Sequence, residues 1–328
     1  MKSIVYIIPY FGNLPSNFQL VLESMRFNPT VNWLIFTDDK TEYDYPTNVK
    51  VVFCSFMEIK KRIQEKYDFD IYLDKPWDLC DFKVAYGEVF SDYISDYDYW
   101  GYCDLDMMFG DIRAFITDEL LNKYKKIGYQ GHSTIFENSE YINTIYRSRI
   151  DGIPYFRNVF SENKSYCFDE NGITDIFTKL NLTQYIQTNF AHLDKFSYGF
   201  FLRHLPKEEA YKNEHNIFVW DSGKLIRYYL DNNQVKNEEY MYIHFWCRPM
   251  TYTRSISTKY LIFADKVVPY HGEGITEAFV KRYSRNNPIV FYIKAVIKNR
   301  KKITVKKIIK NIKIKIKDRS SKGALYAK

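Results

Sequence analysis

The chain has 328 residues, 46% of them hydrophobic and 27% charged, with 13 Gly and 10 Pro; this suits one large α/β unit with additions and excludes a disordered, collagen-like or low-complexity class. The net charge of +7 hides a division: residues 281–328 carry 17 Lys or Arg against the single acid Asp318, which leaves 30 basic and 39 acidic residues, net −9, on residues 1–280. No apolar run approaches the roughly 20 residues that span a bilayer, and residues 1–3 lead straight into a strand-like run rather than a signal-peptide core, so a cytoplasmic protein is expected.

Residues 3–9 (SIVYIIP) form a β-branched apolar run closed by Pro9-Tyr10-Phe11-Gly12, which predicts a buried strand and a tight loop. Phe18, Val21, Leu22 and Met25 recur at helical spacing after the start signals Pro15 and Ser16. Strands are expected at 33–37, ending in Asp38-Asp39, and at 49–53; helices at 57–67 and 81–93; and a central strand at 97–103. This order predicts a mainly parallel, doubly wound sheet flanked by helices. A helix at 112–124, a strand at 127–130 and a less regular stretch to about 185 follow, then strands at 218–220, 225–229 and 240–246. No period of 20 to 50 residues repeats, which argues against a solenoid or propeller. The composition changes near Pro288, dividing the chain into a unit at 1–287 and a basic, amphipathic appendage at 288–328. Five cysteines (54, 80, 103, 167 and 247), with no CxxC pair, predict reduced core thiols rather than a disulfide framework or structural zinc.

Asp104-Leu105-Asp106 follows the aromatic run Tyr99 to Cys103. In an extended segment residues i and i+2 share a face, so two hard oxygen ligands would converge where α/β sheets bind their ligands, as Mg²⁺ or Mn²⁺ requires. Asp68-Phe69-Asp70 and Asp96-Tyr97-Asp98 have the same spacing in polar, turn-like settings, and position alone separates them.

Residues 99–112 (YWGYCDLDMMFGDI) resemble the D-x-D region of nucleotide-sugar-dependent glycosyltransferases with the GT-A fold. Residues 7–18 (IIPYFGNLPSNF), 33–39 (WLIFTDD) and 79–90 (LCDFKVAYGEVF) resemble a bacterial polysaccharide-biosynthesis branch of that class, as do, more loosely, 131–138, 167–172 and 242–250. The resemblance implies transfer of a glycosyl group from a nucleoside diphosphate sugar, UDP-linked by expectation, to a glycan or lipid-linked acceptor, with Mn²⁺ or Mg²⁺ held between Asp104, Asp106 and the diphosphate. In the similar glycogenin-like and lipooligosaccharide galactosyltransferase families a late His completes the metal shell. His244 is the matching position here, its alternative being a satisfied core histidine, and the match favours a retaining reaction.

The remaining candidates read as follows. Pro9, Tyr10 and Phe11, with Asp38 and Asp39, would cluster at the sheet edge to hold a base and ribose; an ordinary loop is the alternative. Lys83 is placed to pair with the diphosphate and Asp81 to accept from a donor-sugar hydroxyl, with Leu105 beside the donor; a helix-start acid and a surface lysine are the plain alternative. His132 is a candidate to approach the donor or acceptor sugar, and Asp169 and Glu170 are candidate catalytic carboxylates, although a helix cap would explain Asp169. Aromatics at 18% suit sugar stacking, but an AT-rich codon usage is the preferred explanation.

GxGxxG, GxxxxGK[ST], GxSxG and HExxH are absent, which removes support for dinucleotide, P-loop, hydrolase-elbow and zincin chemistry. A sugar nucleotidyltransferase would need a Gly-rich basic loop after the first strand, which residues 9–13 do not supply. The appendage predicts an anionic membrane partner: 13 basic residues lie between Lys294 and Lys322, and Val305, Ile308, Ile309, Ile312 and Ile316 recur at helical spacing, so 289–322 would dock peripherally on the inner face of the cell membrane. A non-enzymatic membrane- or polyanion-binding protein acting through this tail is the competing class, and the net charge of −9 on residues 1–280 argues against nucleic acid.

Overall fold

The computed structural model describes residues 1–186, 189–192, 201–202, 215–246, 250–252, 258–263, 265–272 and 274–284. Strands β1 (Ile4–Pro9), β2 (Val31–Thr37), β3 (Val49–Phe53) and β4 (Tyr99–Cys103) pair in parallel, in the spatial order β3-β2-β1-β4. β5 (Met107–Phe109) leaves this sheet for a second one. β6 (Lys126–Gln130) and β7 (Ser133–Glu137) form an antiparallel hairpin, β7 pairs antiparallel with β4, and β8 (Gln184–Tyr185) closes the far edge. The result is a seven-stranded mixed sheet within an α/β fold, parallel from β3 to β4 where the βα order was legible, antiparallel at β4–β7 and β7–β6, and parallel again where β8 pairs with β6.

Alternation sorts the side chains to the two faces. Val5 and Ile7 of β1 join the core formed with Ile59, Phe82, Tyr86 and Phe160, whereas Ile4, Tyr6 and Ile8 join the one formed with Phe18, Val21 and Met25 of the helix Phe18–Arg26. Both faces are therefore covered, which is why β1 reads as an unbroken apolar run.

The second sheet contains β9 (Phe190–His192), β10 (Phe201–Leu202) and β14 (Tyr242–His244), in the order β10-β9-β14-β5. The third is formed by β11 (Asn216–Asp221), β12 (Lys224–Asp231), β13 (Gln234–Tyr240), β15 (Thr251–Tyr252), β16 (Lys259–Ile262) and β17 (Lys266–Pro269). Buried polar groups join the layers: Asn28 donates Nδ2–H to the Gly110 carbonyl and accepts from the Ile112 amide, and the Trp220 indole donates to the Phe109 carbonyl.

Several boundaries differ from the sequence reading. Residues 81–93 form a chain of short turns and helices rather than one helix. The helix expected at 112–124 breaks into a 3₁₀ turn, Ile112–Ala114, and a helix, Asp118–Lys123, because the Thr117 hydroxyl caps the second piece by accepting from the Leu120 amide. The strand expected at 240–246 is the end of β13 and, after Met241, the separate β14. Only Cys103 of the four described cysteines is buried and Cys167 is exposed, so core burial does not describe them as a set. Cys247 and the appendage, including residues 289–322, lie outside the described residues. No helix among the described residues is long and apolar enough to cross a membrane.

Candidate metal and carboxylate site

β4 stops at Cys103, and Asp104-Leu105-Asp106 turns the chain into β5. Two backbone bonds hold the bend: the Asp104 amide donates to the His132 carbonyl at 3.1 Å, and the Phe245 amide to the Asp106 carbonyl at 2.8 Å. Leu105, expected beside the donor, is buried to 1% exposure and anchors the bend in the core. The two carboxylates do converge, but through this reversal and not through the i, i+2 alternation of an extended strand.

Their meeting point is His244. In the antiparallel pair β5–β14, His244 lies opposite Met107, the residue after Asp106. Its Nε2 sits 3.3 Å from Asp106 Oδ1 and 3.6 Å from Asp104 Oδ2. One nitrogen and two carboxylate oxygens thus face a single point, all within 4.8 Å of one another, with His244 buried and Asp104 a third exposed. Octahedral ligands at about 2.1 Å from a small divalent ion lie about 3 Å apart along an edge, so the residues present fit such an ion with little adjustment.

Lys83 occupies the other oxygen of Asp104. Its ammonium donates to Asp104 Oδ1 at 2.7 Å and to the Gly131 carbonyl at 2.8 Å, and lies 4.0 Å from Asp169 Oδ2. Burial opposes that charge, but Asp104 and Asp169 outweigh it and hold the lysine protonated well above its ordinary range. Asp169 is pushed up to about 7, first by burial and then by Glu170, Asp81 and Asp104, with Lys83 pulling the other way.

Asp169 and Glu170 sit in a π-helical turn, Phe168–Gly172, rather than at a helix cap. Tyr102 donates its hydroxyl to the Asp169 carbonyl at 2.6 Å, and the Gly131 amide donates to Glu170 Oε1 at 2.9 Å. A Cβ at Gly131 would lie 2.3 Å from Asp169 Oδ2, so any larger residue there requires that carboxyl to move. Asp81, expected to accept from a donor-sugar hydroxyl, receives the Tyr166 and Phe168 amides at 2.9 and 2.7 Å and so helps hold this turn.

The structure therefore gathers Lys83, Asp104, Asp106, Asp169, Glu170 and His244 at the C-terminal edge of the sheet. Pro9, Tyr10, Phe11, Asp38 and Asp39 lie at the same edge on the neighbouring loops of β1 and β2. There Asp38 accepts from the Gly12 amide and Asp39 from the Leu14 amide, both at 2.8 Å, and Gly12 needs its positive φ of 87° to make the turn. Phe11 packs edge-on against Phe56, and the Tyr10 hydroxyl donates to the Asn13 carbonyl. His132, expected to approach a sugar, is buried, its ring 4.2 Å from that of His244 and close to Phe190 and Tyr242.

One participant was missed. β9 runs parallel to β14 with His192 beside His244, and the two Nδ1 atoms are 3.1 Å apart. The only signal was a histidine ending a short apolar run, Phe190-Ala191-His192, between residue 185 and the strand expected at 218–220, where no element was expected.

Fold and site together define a mixed α/β protein with a carboxylate–imidazole cluster at the carboxyl edge of its main sheet. The chain belongs to DUF6625, a family of unknown function, whose model matches residues 6–271. No curated protein matches the chain.

Proposed function

We propose that the protein is a metal-dependent glycosyltransferase of GT-A type. It moves a sugar, with retention, from a UDP-linked or similar nucleoside diphosphate donor to a glycan or glycolipid in cell-surface polysaccharide synthesis, from the cytoplasmic face of the membrane. The observation that carries this reading is the convergence of Asp104 Oδ2 and Asp106 Oδ1 on His244 Nε2 at a sheet edge where such ligands bind. Those three residues would hold Mn²⁺ or Mg²⁺, which supplies a charge that stabilises the departing diphosphate more in the transition state than in the ground state.

The protein's own groups supply the rest. Lys83 engages Asp104 Oδ1 and so leaves Oδ2 to face His244, and its fixed positive charge lies within reach of an anionic donor arriving at that edge. Asp169 Oδ2, whose pKa of about 7 leaves it divided between acid and base near neutrality, is the group best suited to exchange a proton with a sugar hydroxyl. The loops after β1 and β2 offer Tyr10 as a stacking surface for the base and Asp38 as an exposed acceptor for ribose hydroxyls. Residues 289–322 carry the charge that would draw the enzyme to anionic lipid.

The test is donor hydrolysis and transfer across a panel of nucleoside diphosphate sugars with and without Mn²⁺. Asp106→Ala is expected to abolish turnover with an unchanged circular dichroism spectrum, and His244→Ala to weaken Mn²⁺ binding by more than about tenfold. Turnover that survives excess chelator, or an active Asp106→Ala enzyme, would refute the metal mechanism.

A further inference from the structure

His244 faces two ways. Its Nε2 points at the carboxylates, while its Nδ1 points at His192, and His132 closes a triangle on the same side. The three imidazoles are buried, and one ring nitrogen from each lies within 4.8 Å of the others. We propose that His132, His192 and His244 form a second, nitrogen-only metal site for a borderline-soft ion such as Zn²⁺, which shares His244 with the carboxylate site and competes with it.

The donor chemistry separates the two sites. Two carboxylates and one imidazole favour hard ions that accept oxygen, whereas three neutral imidazoles favour Zn²⁺ and its neighbours in the transition series. Tetrahedral nitrogen ligands at about 2.05 Å from zinc stand about 3.3 Å apart. The Nδ1 atoms of His192 and His244 are already 3.1 Å apart, set there by the β9–β14 register, and rotation of the His132 ring supplies the third ligand. Three protein nitrogens would leave a fourth position for water, as in open zinc sites. The aromatic rings of Phe190, Tyr242 and Trp246, packed against His132 and His192, wall the site on its other sides.

Competition follows from the single proton on a neutral His244 ring. With that proton on Nδ1, it is donated to His192 Nδ1 and the Nε2 lone pair faces Asp104 and Asp106, so the oxygen-rich site is complete. With the proton on Nε2, it is donated to the carboxylates, and the Nδ1 lone pair is presented to an ion held with His192 and His132. Moving from one arrangement to the other takes the proton from Nδ1 to Nε2 through solvent, with no net gain or loss. A carboxylate that accepts the far N–H of a zinc-bound imidazole is itself a recurring feature of zinc sites. An ion in either site therefore disfavours one in the other.

The proposal does not depend on glycosyl transfer and is tested without it. The full-length chain, stripped of metal, is titrated with Co²⁺ and read by its visible d–d bands, which are intense for a four-coordinate nitrogen site and weak for a six-coordinate oxygen-rich one. Wild type is expected to give the intense spectrum, and so is Asp104→Asn/Asp106→Asn, which keeps all three imidazoles. His132→Phe, which suits the aromatic wall, is expected to lose about 10- to 100-fold in Co²⁺ affinity while Mn²⁺ binding, followed by electron paramagnetic resonance, changes less than about twofold. His132→Gln with an unchanged circular dichroism spectrum gives the same reading should the phenylalanine variant fail to fold. One equivalent of Zn²⁺ is expected to weaken Mn²⁺ binding in wild type and not in either His132 variant. An intense spectrum that survives loss of His132, or that disappears in the carboxylate variant, overturns the proposal. Zn²⁺ and Mn²⁺ binding that are independent of each other overturn the shared-ligand part.

Discussion

Replacing Asp169 by asparagine should remove a defined pH dependence of stability. Burial raises the Asp169 carboxyl from about 3.9 in the unfolded chain to about 7 in the folded one. The folded state thus binds a proton that the unfolded state has already released between these two values. Because stability falls with pH wherever the folded state binds more protons, this contribution is fully present below about pH 4 and is lost as pH rises through 7. Three units at 1.36 kcal/mol each set a ceiling of about 4 kcal/mol, of which roughly 2–3 kcal/mol fall between pH 5 and 8. The amide of the Asp169→Asn variant would be neutral throughout, so the stability of wild type relative to the variant should decline by that amount over this range. With a urea m-value of about 3 kcal/mol/M, the difference between the two unfolding midpoints should move by close to 1 M. The assay is urea unfolding followed by circular dichroism at half-unit steps from pH 5 to 8 in chelator, always comparing wild type with Asp169→Asn so that the histidines cancel. In a Lys83→Met background the drop should begin at the same pH but extend to higher pH, because the cation that opposes Asp169 protonation in the folded state is gone. Parallel midpoint curves for wild type and Asp169→Asn would refute the buried, proton-holding role of Asp169.

Gly131→Ala should destabilise by about 1–3 kcal/mol, because its Cβ would lie 2.3 Å from Asp169 Oδ2; denaturant midpoints measure this, and a neutral substitution would show that the carboxyl is not packed against the glycine. Trp246, 43% exposed with a φ of 45° and its ring 4.9 Å from that of His192, stands beside the site. On the glycosyltransferase reading, Trp246→Leu should raise KM several-fold while leaving the Mn²⁺ dissociation constant unchanged, as steady-state kinetics and paramagnetic titration would report. The basic tail should carry the full-length protein onto anionic vesicles at low salt and release it at high salt, whereas a chain ending at Asn287 should remain in the supernatant; equal partitioning of the two would end the anchor idea.

What the sequence made legible divides along physical lines. β1 to β4 were readable because a strand covered on both faces is apolar throughout, and the expected spans agree with the observed ones to within two residues. The hairpin of β6 and β7 was half seen, since its second strand lies in a region whose pairing is set by contact with β4 and not by a local pattern. The third sheet was recognised only as scattered strands, because antiparallel partners such as Arg227 and Glu238 alternate polar and apolar residues with little local distinction from a loop.

The site follows the same logic. Asp104, Asp106 and His244 could be singled out from residue type and place in the chain, yet what joins them is long-range pairing: β5 beside β14, with Met107 opposite His244, and β14 beside β9, with His192 beside His244 at a separation of 52 residues. No spacing rule reaches that far, so His192 stayed invisible while its neighbour in space was named. Lys83, expected to pair with a diphosphate, already engages Asp104 and the Gly131 carbonyl, as burying an ammonium group requires: once enclosed, it takes the nearest carboxylate and carbonyl. An anionic ligand that displaces Asp104 from Lys83 would free both oxygens of that carboxylate for a cation, so anion binding and cation binding at this edge should each strengthen the other. Measuring Mn²⁺ affinity with and without a nucleoside diphosphate, in wild type and in Lys83→Met, separates this coupling from simple bridging: loss of the enhancement in the variant is the expected result, and an enhancement of equal size in both would assign it to direct contact between ion and diphosphate.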